Sequence, residues 1–551
     1  MPTIEFNKDD LFDLVGEDMS NSELEDMLAR VKVEVEEIED DRVEVEITSD
    51  RIDLLSVEGI ARSLRSYLGK DQGLQDYQIH EGDYQFTVEN VPARPHVVTA
   101  VVRDVDMNTP ALKSLIQLQE KLHGTFGRDR ERVSIGIHDM RTVSFPLRYR
   151  AADPDEYEFV PLQRDEKMTM EEILERHDKG KEYSDLVDSY DRYPVIVDAN
   201  DDVLSFPPII NAQKTEVTAA SEDLFIDVTG TDPDSLRSAL NVIVTSLAER
   251  GGSIMSVEMH QAGDRFRTPQ FETEERHVDI EAVENITGIN LDQDQITEYL
   301  ERMGYGIIEV GRSFEVVIPP YRADILHEVD IAEDVAIGYG YNNIEPSMPD
   351  ISTIGEEDPL EKHMHLVRET MTGFGFQEIM NPTLTDKETL VDRPRRDGDS
   401  HITLANPVSE SYSVARDSLL PQLLETLADN THNEYPQRIF EAADVIIRDD
   451  TQSVRTRTDK HLAAVKAGRD TGYNKLRGIL EGLLETLDVD STFEKAYSST
   501  FIEGRTAAIR VDGERIGTIG EVHPGALNNH GVEMPTTAFE INLTALHEQE
   551  D

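Results

Sequence analysis

Apolar positions recur with two periods along the chain, and the changes of period mark its elements. Val43, Val45 and Ile47 alternate with charged residues, the period of a half-buried strand. From about Leu55 to Leu68 the pattern becomes that of a helix rich in Leu, Ile and Ala. Further on, Leu236, Leu240, Ile243 and Leu247 share one helical face. Asp232 is placed to cap this helix, Pro233 suits its first turn, and Gly251 stops it. Asp292 and Gln295 have capping-box spacing, followed by core-facing Ile296, Leu300 and Met303 and a terminating Gly304. The run SFEVVI reads as a strand that ends at Pro319-Pro320. A later helix carries Met364, Val367 and Met371 on one face, and Asp512-Gly513 separates two β-like runs as a hairpin turn does.

Turn formers cluster at HQAGDRFRTPQFE, near residues 260–272, and at EPSMPDISTIGEEDP, near 345–359, and predict joints. The chain then divides into a small α+β domain at 1–85, a strand-rich region closed by a helix at 86–258, a compact domain at 268–346, and a helix leading into strands at 357–551. The fold class is α+β multidomain, and 551 residues suit three or four domains of ~150 each.

Charge changes the picture more than size. There are 112 acids against 53 bases, a net charge of −59, spread along the whole chain instead of gathered in a tail. Hydrophobic residues make up 38%, enough for packed cores, so disorder is not the reading. At ~1 M salt the Debye length is ~3 Å and self-repulsion is screened, so the surface reads as one adapted to a halophilic source. Such a surface repels nucleic acid at low salt, and any RNA contact must rest on shape, stacking and hydrogen bonds. With no cysteine, disulfides, thiolate nucleophiles and cysteine-ligated zinc are excluded. MPTIEFNKDD lacks the features of a signal peptide, and no apolar run nears the ~20 residues of a membrane span. The expectation is a soluble, cytoplasmic protein with no membrane partner.

Three constellations could carry chemistry. In RADILHEVDIAEDVAIGYGY, Asp330, Glu333 and Asp334 lie at i, i+3 and i+4, and Asp324 precedes them by about two turns. Converging carboxylates suit a hard cation such as magnesium, but acids also favour helix N-termini and this chain is acidic throughout. In VLSFPPIINAQKTEVT and LFIDVTGTD, Ser205, Asn211, Asp227 and Thr229 are polar groups set among apolar ones, an arrangement that lines a pocket or that stabilises strand ends through Asx and Thr turns. In GRDRERVSIGIHDM, His138 reads as a structural or exposed histidine, and the basic run Arg128–Arg132 as ion pairs in preference to an RNA contact. No serine-nucleophile elbow, phosphate loop or zinc-protease helix is present in the sequence.

These segments together resemble the beta subunit of phenylalanyl-tRNA synthetase, archaeal/eukaryotic type, in order over nearly the whole chain. ITSDRIDLLSVEGIAR resembles its N-terminal segment; GRDRERVSIGIHDM, LSFPPIINAQKTEVT and LFIDVTGTD its editing domain; PPYRADILHEVDIAEDVAIGYGYNNI its winged-helix-like magnesium-binding domain; MTGFGFQEIMNPTLT, RIFEAADV and GRTAAIRVDGERIGTIGEVHP its synthetase-like domain. The resemblance implies that Asp324, Asp330, Glu333 and Asp334 bind Mg2+ in a site shared with an alpha subunit. It implies that 86–258 hydrolyses tyrosine wrongly joined to phenylalanine tRNA. Ser205 and Asp227 are then candidates to read the phenol, and Asn211 and Thr229 to shape the pocket or hold a water. A positioned water suffices, because the ester is already activated. The last region resembles a class II antiparallel sheet without the Gly-x-Gly-x-Gly run and ATP-binding arginine of the third motif, a catalytically inactive scaffold. ATP, phenylalanine and the adenylate then belong to the alpha subunit of an α2β2 tetramer. Two alternatives stand beside this reading: a free-standing deacylase of mischarged tRNA, and a non-catalytic RNA- or metal-binding scaffold.

Overall fold

The computed structural model describes residues 1–310, 313–349, 351–398 and 400–547, which fall into two compact units, Met1–Met348 and Pro349–Asp551. The joint expected near 345–359 contains that boundary. The one expected near 260–272 does not separate units: it holds the strand Asp264–Thr268, paired antiparallel with Ser253–Gln261 across a turn whose Ala262 and Gly263 both have positive φ. Its turn formers serve a hairpin.

In the first unit, Thr3–Asn7, Arg42–Ile47 and Val33–Glu39 form a three-stranded sheet, with Val43, Val45 and Ile47 inward as their alternation predicts. A ten-stranded sheet follows. Its order runs from Ile210–Asn211 through Val203–Phe206, Tyr193–Val197, Leu147–Ala152, Ile79–Val88, Ser253–Gln261, His96–Arg103 and Leu224–Gly230 to Val133–Asp139, with Asp264–Thr268 added beside Ser253–Gln261. The boundary expected at residue 85 falls inside Ile79–Val88, which runs parallel to both its neighbours in this sheet. The helices Thr109–Gly124 and Pro233–Ala248 pack on it. Pro233 opens its helix as expected, but the Asp232 carboxylate does not cap it: it accepts from Arg132 Nε at 3.0 Å and from Ser235. The third sheet, Glu274–Asp279, Ser313–Ile318 and Gly306–Val310, packs with the helices Ile280–Thr287, Gln293–Arg302 and Glu328–Tyr339. Here the capping box is present, Asp292 and Gln295 each accepting the other's backbone N–H.

The second unit is built on a seven-stranded sheet in the order Gln377–Glu378, Gln437–Arg448, Thr456–Ala467, Thr536–Asn542, Glu514–Val522, Phe501–Val511, Ser491–Lys495, antiparallel except for the first pair. The helices Pro359–Gly373 and Tyr473–Thr486 cover one face, with Met364, Val367 and Met371 fully buried. Leu420–Asp429 and Pro524–His530 cover the other. The Asp512-Gly513 turn has positive φ at both residues, as a tight hairpin requires. Among the described residues no helix is long and apolar enough to cross a membrane.

Glu540 fastens the sheet to one covering layer. Its carboxylate accepts the N–H groups of Leu419 and Leu420 at 3.0 and 3.2 Å, Ser418 Oγ at 2.6 Å and His461 Nδ1 at 2.8 Å. Burial alone would push it up, but the His461, Ser418 and backbone donors bring it down to about 2. A carboxylate depressed below its unfolded value stabilises fully above that value and loses its contribution as pH falls through the folded one. The second unit should therefore lose roughly 3 kcal/mol between about pH 4.5 and pH 2 from this group. Glu540→Gln should be less stable at neutral pH and flatter across that window in denaturant titrations.

Candidate functional site

A cavity of about 300 Å³ opens in the first unit where the two ends of the ten-stranded sheet approach each other. One wall comes from Ser205, Phe206 and Asn211, and the other from Ser134–Ile137 and Asp227. The helix Thr109–Gly124 closes a side with Leu112, Leu115 and Ile116. Bonds across the gap hold the ends together: Asn211 Nδ2 donates to the Ile137 carbonyl at 3.4 Å, and Arg130 Nη1 donates to the carbonyls of Pro208 and Ile209 at 3.1 and 3.0 Å. Arg130 reaches them from a turn in which Arg128, Asp129 and Arg130 all take left-handed φ values of 50, 52 and 68°. None is glycine, so each costs about 1–2 kcal/mol.

The structure brings Ser205, Asn211 and Asp227 together around this cavity, Asp227 on the wall opposite the other two. Ser205 and Asn211 are direct cross-strand partners, and Ser205 Oγ, 2% exposed, has no hydrogen-bond partner among the described residues. Asp227 is 1% exposed, with Oδ2 2.8 Å from His138 Nε2; His138 Nδ1 lies 2.8 Å from Thr215 Oγ1. Thr229 is not in the wall. Its Oγ1 accepts from buried Arg94 Nε at 3.2 Å, and Arg94 Nη2 also donates to its carbonyl at 2.7 Å, so it anchors an arginine whose burial pushes it down to about 10.

Three contributors were not singled out from the sequence as site residues. His138 is fully buried against Asp227, half of the structural-or-exposed reading. Gly136 faces Asp227 across the strand pair, and a Cβ there would collide with that carboxylate and with His138, so glycine is required by close approach. Arg130 is the third; the ion-pair reading of the basic run holds for it and for Arg132, through Glu120 at 3.1 Å and Asp232. The alternation in VSIGIHD gave a strand but no signal for what would face it.

The four carboxylates divide. Asp324 and Asp334 turn inward onto buried Arg322, whose Nε and Nη2 donate to Asp324 at 2.8 and 2.7 Å and whose Nη2 also donates to Asp334 at 2.7 Å. Tyr305 OH donates to Asp334 at 2.6 Å. Asp330 Oδ2 accepts the N–H groups of Leu326 and His327 at the N-terminus of Glu328–Tyr339. Glu333, 44% exposed, pairs with Lys32 at 3.0 Å. Among the described residues no three His, Asp or Glu side chains converge as a metal centre. Hard oxygen donors fit magnesium only at the Asp330–Glu333 end, since an ion held by one or two carboxylates keeps its waters or takes other ligands; at the other end Arg322 is already the cation. Arg322→Met should therefore cost the first unit about 3–5 kcal/mol in denaturant unfolding, because it leaves two buried carboxylates uncompensated.

Comparison with known proteins covers both units. Residues 1–70 match the Phe-tRNA synthetase beta subunit B1 domain, 94–257 the B3/4 domain, 276–341 the tRNA synthetase B5 domain and 344–543 the Phenylalanyl tRNA synthetase beta chain CLM domain. The phenylalanine–tRNA ligase beta subunit of Archaeoglobus fulgidus is 41% identical over 550 residues, 99% of this chain and 98% of its own. That of Methanocaldococcus jannaschii is 40% identical over 548 residues, 98% of this chain and 100% of its own. A crystal structure of an N-terminal fragment of the phenylalanyl-tRNA synthetase beta subunit from Pyrococcus horikoshii is 38% identical and aligns with a TM-score of 0.60, over 62% of this chain and all of the fragment. The chain belongs to the phenylalanine–tRNA ligase beta-subunit family.

Proposed function

We propose that the chain supports the charging of phenylalanine tRNA by an alpha subunit and, in the cavity of its first unit, removes tyrosine joined to that tRNA by mistake. Membership of the family makes the chain a ligase subunit, with ATP and Mg2+ used by the complex. The observation that carries the editing reading is the cavity itself: a recess of mixed polar and apolar lining that holds an unpartnered buried hydroxyl, Ser205, and a buried carboxylate, Asp227. A buried hydroxyl left unpaired favours a ligand that brings it a polar partner, and a tyrosine phenol both donates and accepts. Phenylalanine leaves the Ser205 hydroxyl unpaired, and a site that hydrogen-bonds a hydroxyl rejects the analogue lacking it by ~10⁴–10⁵. An apolar synthetic pocket rejects the added hydroxyl by only ~10², which is why a second cavity is needed. Asn211 keeps the wall closed through Ile137, and Thr229 acts from behind it through Arg94.

Magnesium is assigned to half-buried Asp330 and exposed Glu333, with ligands completed by water or the alpha subunit. Asp324 and Asp334 hold the helix that presents that pair, through Arg322. Residues 268–346 are read as the winged-helix-like domain, and the seven-stranded sheet of the second unit as a class II fold without catalytic residues, in an α2β2 assembly. The soluble, cytoplasmic setting follows from that role.

Ser205→Ala and Asp227→Ala should slow deacylation of tyrosyl-tRNA about tenfold to a hundredfold while phenylalanine charging by the assembled enzyme is unchanged; normal clearance in both would remove the phenol-reading role. Asp330→Asn keeps an acceptor for the two backbone N–H groups but lowers the charge, and should raise the Mg2+ concentration needed for charging or weaken assembly with the alpha subunit. Unchanged assembly and Mg2+ dependence would dismiss the ligand role.

A further inference from the structure

The cavity wall holds a polar group that the reading above does not use. His123 lies in the last turn of Thr109–Gly124, is 4% exposed and faces the cavity. Its Nε2 accepts the Ile135 N–H at 2.8 Å, which places the ring proton on Nδ1. That bond has a structural purpose: Val133–Asp139 is the last strand of its sheet, and Gln119 from the same helix covers the Ile135 carbonyl at 2.7 Å. The Nδ1–H has no such purpose. Among the described residues no acceptor reaches it, and Glu120 Oε1 stands 3.6 Å away, beyond hydrogen-bond reach. Burial, opposed by the Glu120 carboxylate and aided by Arg130, pushes the imidazole down to about 4, so at neutral pH it is an uncharged donor. Arg130 Nε is a second buried donor without a partner in the same wall.

The cavity has a direction. Ser205 and Asp227 are sealed at its inner end, while Glu120, 51% exposed and bonded to Arg130, stands with Lys179 at the mouth. An aminoacyl ester whose phenol is held at the inner end leaves its carbonyl and terminal ribose beside His123 and Arg130.

We propose that His123 Nδ1–H donates to the carbonyl oxygen of the bound aminoacyl ester. This rests on the editing reading. Water adds through its oxygen to the carbonyl carbon, and the π pair moves onto the carbonyl oxygen, where the His123 N–H meets the growing negative charge. The pair then returns, the ester C–O bond breaks, and the ribose oxygen leaves with the proton the water gave up. His123 keeps its own proton throughout, and the products are the free amino acid and uncharged tRNA.

The test uses the full chain assembled with its alpha subunit and tyrosyl-tRNA as substrate. In His123→Gln the side-chain carbonyl takes the place of Nε2 and keeps the Ile135 bond, without a donor at Nδ1. In His123→Asn the amide stands near Nδ1 and restores one. His123→Gln should lower the deacylation kcat about 10²-fold or more, with KM and phenylalanine charging little changed, and His123→Asn should recover at least a tenfold part. Unchanged kcat in His123→Gln would overturn the proposal, as would equal losses in both variants, which would assign the effect to packing. If the unaltered complex leaves tyrosyl-tRNA intact, the editing reading fails, and this assignment with it.

Discussion

Cations are scarce in this chain, and their placement governs the rest of the structure. With 53 bases against 112 acids, most of the basic side chains taken inside hold more than one acceptor. Seven arginines are buried among the described residues: Arg51, Arg62, Arg94, Arg130, Arg250, Arg322 and Arg416. Arg250 fixes Asp10 and Glu58, joining the end of the helix Pro233–Ala248 to the N-terminal sheet domain. Arg416 binds Glu441, Gln422 and two backbone carbonyls in the second unit. A planar guanidinium with five donors suits this work better than an ammonium. Removing one such partner strands a buried charge, so these contacts cost far more to break than surface pairs do.

The same economy explains the cavity. Arg130 and Arg94 tie together segments that are remote in sequence: the left-handed turn at 128–130, the Pro208–Ile209 bend and the strand Leu224–Gly230. The strain of three consecutive left-handed residues persists because these bonds over-determine the turn. In return, the donors facing the cavity are fixed before any ligand arrives. Preorganised donors in a water-poor wall act more strongly than the same groups in solvent.

The acidic helix of the third sheet domain shows charge bookkeeping settling a question that spacing leaves open. Asp330 and Asp334 share a helix face by spacing, yet one caps the helix and the other enters the core to meet Arg322 and Tyr305. The Arg-Ala-Asp segment just before the helix supplies that arginine, so one end of the cluster is neutralised in the core, while at the other Glu333 meets Lys32 at the surface.

Periodicity alone determined most of the elements: the Val43–Ile47 alternation, the capping box at Asp292, the apolar face of Met364, Val367 and Met371, and the Asp512-Gly513 turn all stand as read, because each is decided by neighbours within a few residues. The motifs also marked Ser205, Asn211 and Asp227. Tertiary structure alone decided that these three line one cavity and Thr229 does not, that His138 and Gly136 belong with Asp227, and that His123 Nδ1 faces the cavity without a hydrogen bond. The physical reason is the sheet: the strand carrying Ser205 and the strand carrying Gly136 lie near opposite ends of it, and only its closure sets them face to face. A one-dimensional pattern records which side of a strand is buried, but not which other strand comes round to meet it.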